Sequence, residues 1–523
     1  MTQPFPSSPT GASGPSSFAL PDDYQPRRAQ DTVLYQVLER HLATFVEEAA
    51  QRTDGQGLPR FVERELGRFL ECGVLAHGFA RVRCGDCHFE RLVPFSCKGR
   101  GFCPTCGGRR MVERAAHVVD QVLPVVPIRQ WVLSLPHQLR FLVAWDHDLC
   151  RAVLRVYVRA LLGFQRRRAK RAGIADGRSG AVTIIQRFGS GLRLNVHFHT
   201  DVLDGVFYRQ PAGELAFFPL PPPTQVEVAR LLATIHKRVV RLLRRRGLCP
   251  EPSAGASDDP PSNGEPGLAG LLQAAVFNLR STGAHAGAPV LQIGRDPKAP
   301  WVTSRGQLQA HLDGFDLHAG VAIAADDREG LERLCRYELR PAVAQERLTL
   351  RDDGRVLVEL PRPWHDGTTA LLFEPLELLA RLASFIPRPR TNLLLYHGVL
   401  APNAKWRPEV VAYGRPGKAE TEPAVARAAP PPALHDHLSD TPTLASSPRR
   451  RQQWAELMTR AFGVDVLTCP RCGGRMKLIA TITDPAVIRA ILDHLRLPSV
   501  PPRPHPARPP PSDPAACPDE LWH

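Results

Sequence analysis

The chain has 523 residues and a formal net charge of +15, and only seven of its 67 basic residues are Lys. With 43% hydrophobic residues it can build about three domains, yet no stretch reaches the roughly 18 apolar residues of a membrane span. That excludes a spanning helix and favours a polyanionic partner, because clustered Arg is the planar, bidentate phosphate binder.

Residues 1–27 are rich in Ser, Pro and Gly and are expected to be a disordered tail. They show neither the charged start nor the apolar run of a secretory signal, so a cytoplasmic chain is expected. Helical periodicity follows in "TVLYQVLERHLATFVEEAAQR" and "RFVERELGRFLECGVL". With the Cys-rich stretch after them, these segments make an N-terminal helical and zinc-binding domain, 28–115. A larger domain, 120–412, begins with the strand "QWVLSLP" and the basic-ended helix "LCRAVLRVYVRALLGFQRRRAKRAG". "AVTIIQRF", "GSG" and "LRLNVHFHTDVLDGVF" read as strand, turn and strand. "VEVARLLATIHKRVVRLLRRRG" is a second basic helix, and 250–267 is a flexible insertion. The strand "FDLHAGVAIAA" leads into the helix "DREGLERLCRYEL", closed by Pro341. A hairpin turning at Asp353-Gly354, the helix "PLELLARLASFI" and the strand "NLLLYHG" complete the domain. A Pro/Ala-rich linker, 413–448, a small C-terminal module, 449–500, and a disordered tail, 501–523, follow.

The cysteines carry the first chemical signal. Cys84-Gly-Asp-Cys87 and Cys103-Pro-Thr-Cys106 lie 15 residues apart. Two such knuckles can converge on one tetrahedral structural zinc, with all four positions filled by protein. Cys97 is a fifth thiol able to displace one of the four, and Cys72 reads as core. Arg100, Arg109 and Arg110 in this module suit contact with a nucleic-acid backbone; a solvated protein-binding surface is the alternative. Cys469-Pro-Arg-Cys472 is half a site, a candidate for a second zinc that lacks partners at ordinary spacing.

His197 and His199 carry the second signal. On a strand both imidazoles leave one face, while Phe198 points to the other. The pair is half of a metal site, or two ordinary histidines; His435-Asp436-His437, in the linker, shows how easily the pattern arises. Gln186 on the preceding antiparallel strand, and Asp201 by the period of two, could add an oxygen ligand. Such a set suits Mg²⁺ or Mn²⁺ acting on a phosphodiester. A transesterase also needs a nucleophile. Among the seven Tyr, Tyr337 sits on a helix beside Arg333, Arg336 and Arg340, which would steady a phenoxide and draw in phosphate. Tyr396 is the second choice. The plainer reading of Tyr337 is an amphipathic-helix residue packed on the sheet.

In this order the zinc knuckles, "WVLSLPHQLR", "IQRFGSGLRLNVHFHTDVLDGVF", "FDLHAGVAI", "RYELRPAVAQERL" and "NLLLYHGVLAPNAKWR" resemble the insertion-sequence-91 type transposases of the HUH (His-hydrophobic-His) superfamily. The resemblance covers residues 60 to 410 and extends to "WAELMTRAFGVDVLTCPRCGGRM". It implies an α+β fold: an antiparallel-sheet HUH endonuclease core with helices on one face, preceded by the zinc-binding domain and followed by the small module. His197 and His199 match the ligands of a catalytic divalent ion, and Tyr337 matches the nucleophile. With Arg333 and Pro341 one helical turn to either side, the chain looks like a single-tyrosine enzyme. The resemblance implies that Tyr337 cuts single-stranded DNA at transposon ends through a 5′-phosphotyrosine, which a target 3′-hydroxyl later resolves, in rolling-circle fashion. The alternatives are a replication initiator or relaxase of the same chemistry, and a non-catalytic zinc-dependent DNA-binding regulator.

Overall fold

The computed structural model describes residues 28–248, 265–283, 285–296, 306–415, 456, 459–460 and 465–508. The tail expected at 1–27 lies outside the described residues. So do most of the 250–267 insertion, of the linker with His435-Asp436-His437, and of the 501–523 tail.

Helix α1 (Val33–Gln51) is opened by Thr32, whose hydroxyl accepts from the Tyr35 amide, and α2 (Arg60–Phe69) packs beside it. Their apolar stripes bury Leu34, Leu38, Val62 and Leu66. The hairpin of β1 (Phe79–Cys84) and β2 (Glu90–Pro94) follows, then α3 (Pro104–Gln121), with Pro104 in its first turn.

β3 (Ile128–Ser134) enters the main sheet, and α4 (His137–Trp145) and α5 (His147–Arg171) cross one face of it. β4 (Gly180–Phe188) and β5 (Leu194–Leu203) form the hairpin expected from "GSG". The second strand was expected to run on to Phe207, but it breaks at Asp204. β6 (Gly205–Arg209) leaves the sheet and pairs with β7 (Leu215–Pro219). The buried Arg129–Asp204 ion pair, 2.7 Å, pins that corner.

α6 (Gln225–Arg245) starts in a capping box of Thr224 and Glu227. α7 (Pro266–Phe277) escaped the periodicity reading because it is apolar around its whole circumference, as a buried helix is. The chain continues through β8 (Leu291–Ile293), β9 (Gln309–Leu312), β10 (Phe315–Ile323) and α8 (Arg328–Leu339). It then forms β11 (Leu348–Leu350), β12 (Val356–Glu359), β13 (Ala370–Phe373), α9 (Pro375–Phe385), β14 (Leu394–Gly398) and α10 (Arg407–Ala412). Gly354, at φ +81°, makes the turn between β11 and β12.

The main sheet has the order β14-β4-β5-β3-β10-β9, and every pair is antiparallel. Smaller sheets are β11-β12-β13-β8 and β6-β7. On one face Phe198 stacks on Tyr157 of α5, and Trp131 meets Phe164 edge-on. On the other face lie α3 and α8. Helices therefore cover both faces, where one covered face was expected. β5 is the reason: it is buried along nearly its whole length, so alternate residues need partners on both sides.

The C-terminal segment does not stand apart. β15 (Met476–Ile482) pairs antiparallel with β1, giving the sheet β15-β1-β2, and the helix Pro485–His494 packs on the turn at 75–77. No helix among the described residues is long and apolar enough to cross a membrane.

Candidate active site

The central strand β5 turns His197, His199 and Asp201 to the face shared with α8. Its neighbours face the same way: Gln186 and Ser134 stand opposite His197, and Val182 and Gln130 opposite Asp201. His197 Nδ1 lies 2.8 Å from the Asn195 carbonyl, so that nitrogen carries the proton and Nε2 keeps a lone pair. His199 Nε2 lies 3.0 Å from it. Two nitrogens bound at right angles to an octahedral ion at about 2.1 Å stand about 3.0 Å apart. The spacing thus fits two ligands of one divalent ion. Burial pushes His197 down to about 4 and His199 down to about 3, which keeps both neutral, the state a metal requires.

Helix α8 brings the tyrosine. Asp327 caps its start, accepting from the Gly330 amide at 2.7 Å, and Pro341 follows its end. Leu331, Cys335 and Glu338 are buried, whereas Tyr337 is 56% exposed. The Tyr337 ring meets His199 edge-on, with centroids 6.4 Å apart and planes at 83°. The Arg340 guanidinium lies 4.1 Å from the centre of the same ring. Gln186 Nε2 donates to the Glu338 carbonyl at 2.9 Å, so its amide nitrogen is committed to α8.

Asp201 does not stand with the histidines as an oxygen ligand. It is fully buried and grouped with Cys335 and Glu338. Burial raises Asp201 to about 7, and burial with the Asp201 charge lifts Glu338 well above the carboxylate range, so the two acids share protons. Glu338 Oε1 also lies 3.7 Å from His199 Nδ1, and the Gln130 side-chain nitrogen donates to Glu338 Oε1 and lies 3.3 Å from the same ring nitrogen. Gln130 and Glu338 were missed in the sequence. The spacing of Leu331, Cys335 and Glu338 was the available signal, since it turns a carboxyl inward beside Tyr337.

The arginines divide into two groups. Arg340 lines a cleft of about 90 Å³ together with Arg100, Arg110, Arg114 and Gln186, between the cysteine module and the main sheet. Burial and the neighbouring Arg110 lower both Arg100 and Arg114, an environment that an anion would relieve. Arg109 is exposed on α3. Four of the arginines expected to contact DNA also make contacts within the fold: Arg110 donates to the Gly99 carbonyl at 2.9 Å and Arg340 to the Tyr337 carbonyl at 2.7 Å. Arg100 donates to the Thr391 carbonyl, and Arg336 is ion-paired with Glu332. Arg140 and Arg340 bear on His197 electrostatically, and Arg140 was not singled out in the sequence. Tyr396 is two strands from β5, beyond β4, level with Val182 and Asp201 rather than with the histidines.

The cysteine assignment needs correction. Cys84 and Cys87 do not converge with Cys103 and Cys106. Cys103 and Cys106 join Cys72 and Cys97 in one buried cluster, and Cys84 and Cys87 join Cys469 and Cys472 in another. In the buried cluster the Cys72–Cys103, Cys72–Cys106 and Cys97–Cys106 sulfur separations are 3.7, 3.9 and 3.5 Å. A tetrahedron with metal–sulfur bonds of about 2.3 Å has edges of about 3.8 Å, so these four thiols fit zinc. Cys103 caps α3 and Cys106 lies in its first turn, where the helix N-terminus favours thiolates. Cys72, read as core, and Cys97, read as a spare thiol, belong to this set.

A family model described as "Transposase zinc-binding domain" matches residues 37–135, and one described as "Putative transposase" matches residues 180–407. No curated protein and no solved structure matches the chain. The zinc-binding match contains Cys72, Cys84, Cys87, Cys97, Cys103 and Cys106; the second match contains His197, His199 and Tyr337.

Proposed function

Because the chain belongs to the insertion-sequence-91 family of transposases, with its zinc-binding domain ahead of its transposase domain, we propose that it cuts and rejoins single-stranded DNA through Tyr337. The observation that carries this reading is the edge contact between Tyr337 and His199, 6.4 Å between centroids, with the His197 and His199 Nε2 atoms 3.0 Å apart.

His197 and His199 would hold a divalent ion, Mg²⁺ or Mn²⁺, with Gln186 Oε1 as a third donor, and that ion would supply Lewis-acid polarisation of the scissile phosphate. The chain's own residues do the rest. Arg340, Arg110 and Arg114 seat the sugar–phosphate backbone in the cleft. The Arg340 guanidinium packs on the Tyr337 ring, 4.1 Å from its centre, and the exposed hydroxyl gives its proton to solvent as it attacks. Tyr337 Oη attacks phosphorus, the bond from phosphorus to the 3′ oxygen breaks, and that oxygen takes a proton to leave as a free 3′-hydroxyl. In the reverse sense a target 3′-hydroxyl attacks the 5′-phosphotyrosine and Tyr337 regains its proton. The ester bond is conserved at each step, so no nucleoside triphosphate is consumed.

The test uses labelled single-stranded oligonucleotides from the ends of the element, with Mn²⁺ or Mg²⁺. The expected product is a protein–DNA adduct that survives denaturant, absent in Tyr337→Phe. Binding of both ends without an adduct in either metal would instead favour a non-catalytic DNA-binding regulator.

A further inference from the structure

Cys469 and Cys472 lie far outside the zinc-binding match, yet they meet cysteines inside it. Cys84 Sγ is 3.5 Å from Cys472 Sγ, and Cys87 Sγ is 3.5 Å from Cys469 Sγ, across more than 380 residues of chain. All four sulfurs lie within 4.8 Å of one another.

Both pairs are built to the same plan. The Cys84 amide donates to the Phe89 carbonyl at 2.8 Å, and the Cys469 amide donates to the Gly474 carbonyl at 2.8 Å, each five residues on. The residue after each second cysteine is left-handed, His88 at φ +57° and Gly473 at φ +73°. The Gly474 amide donates to Cys472 Sγ at 3.4 Å, with the sulfur as acceptor. Each pair therefore sits in a tight knuckle, and the two knuckles face each other. The β1–β15 pairing fixes them there, opposing Cys84 to Met476, and the Gly85 amide donates to the Arg475 carbonyl at 3.2 Å.

We propose that Cys84, Cys87, Cys469 and Cys472 form a second structural zinc site, which fastens the C-terminal segment to the N-terminal domain. Four sulfur donors at tetrahedral spacing select zinc among the common divalent ions and leave no open position for substrate. The metal closes a loop that contains the whole transposase domain. It also has a consequence near the nucleophile. Arg460, just upstream of this knuckle, binds Asp120 of α3 and Glu332 of α8, the latter at 2.6 Å. The zinc thus holds the chain nine residues after an arginine that is ion-paired to the helix carrying Tyr337.

The test uses the full-length protein purified without chelator, with metal counted by elemental analysis and thiols mapped by native alkylation and mass spectrometry. Two zinc ions per chain are expected, with Cys84, Cys87, Cys469 and Cys472 all alkylating as slowly as Cys72 until a chelator is added. In Cys469→Ser:Cys472→Ser the count should fall to one. Cys84 and Cys87 should become reactive while Cys72, Cys97, Cys103 and Cys106 stay protected, which also reports that the variant is folded. One zinc in the wild type with Cys469 and Cys472 freely reactive would overturn the proposal. So would two zinc ions in the variant with Cys84 and Cys87 still protected.

Discussion

The side-chain amide of Gln186 donates to the backbone carbonyl of Glu338 at 2.9 Å. A residue opposite His197 on β4 thereby holds α8 at the residue after Tyr337. The histidines belong to a central strand, whereas Tyr337 belongs to a helix laid over it, so their relative position depends on ties of this kind.

Gln186→Met keeps the volume and removes both the tie and the oxygen proposed as the ion's third donor. The lost hydrogen bond costs about 1 kcal/mol of local order. Mn²⁺ affinity, measured by titration calorimetry without DNA, is expected to fall by roughly 10–100-fold, the usual effect of losing an outer ligand or its support. Unchanged Mn²⁺ affinity with slower adduct formation would assign Gln186 to positioning α8 alone.

The buried acids give a pH signature. Asp201 is raised to about 7 and Glu338 well above its usual range, so the folded state keeps protons that the unfolded state has released. For groups raised in this way stability falls as pH rises, because the unfolded chain binds fewer protons. His197 and His199, held down at about 4 and about 3, act in the opposite sense below pH 6.5. They are common to both proteins when wild type is compared with Asp201→Asn:Glu338→Gln. The stability of the variant relative to wild type is therefore expected to grow between pH 5 and 8, at up to about 1.4 kcal/mol per pH unit per proton. Parallel urea midpoints across that range would show that the acids are ionised in the folded state.

Arg340 is the one cleft arginine that also touches the Tyr337 ring. Arg340→Ala should reduce adduct formation more than Arg110→Ala does, because it removes the proposed phosphate contact and the charge on the tyrosine ring together. Each substitution should lower the salt dependence of DNA binding by about one unit of slope. The check is adduct rate and binding constant over a salt series; equal losses for the two variants would leave Arg340 with a backbone-binding role only.

Legibility in the sequence followed distance along the chain. His197, His199 and Tyr337 could be singled out because each signal is local: a period of two on a strand, and arginines within a turn of a helix. The structure brings these three together. The cysteine partition could not be read in the same way. Spacing favours neighbouring knuckles, but β1 pairs with β15, so Cys84 and Cys87 find partners near the other end of the chain and release Cys103 and Cys106 to Cys72 and Cys97. The sheet's second covered face was hidden for a related reason. α3, which covers that face with α8, starts inside the stretch read only as cysteine-rich, and the nearly all-buried pattern of β5 shows only after its neighbours are known.

The contact between α3 and α8 carries the last expectation. Gly107 follows Cys106, and a Cβ there would lie 2.7 Å from Pro341 Cβ, so the start of α3 touches the end of the tyrosine helix with no side chain between them. Gly108, one residue on, has open space around it. Gly107→Ala must push Pro341 away or shift Cys106, an overpacking cost of about 1–3 kcal/mol. Gly108→Ala should be neutral or stabilise by up to about 1 kcal/mol, because Gly disfavours a helix interior. If the buried cysteine cluster positions Tyr337 through this contact, Gly107→Ala will lower the rate of adduct formation while zinc content and DNA affinity stay close to wild type. Gly108→Ala will keep the full rate. Equal rates in the two variants would mean that α8 is set by the sheet, through Gln186, and not by the cysteine module.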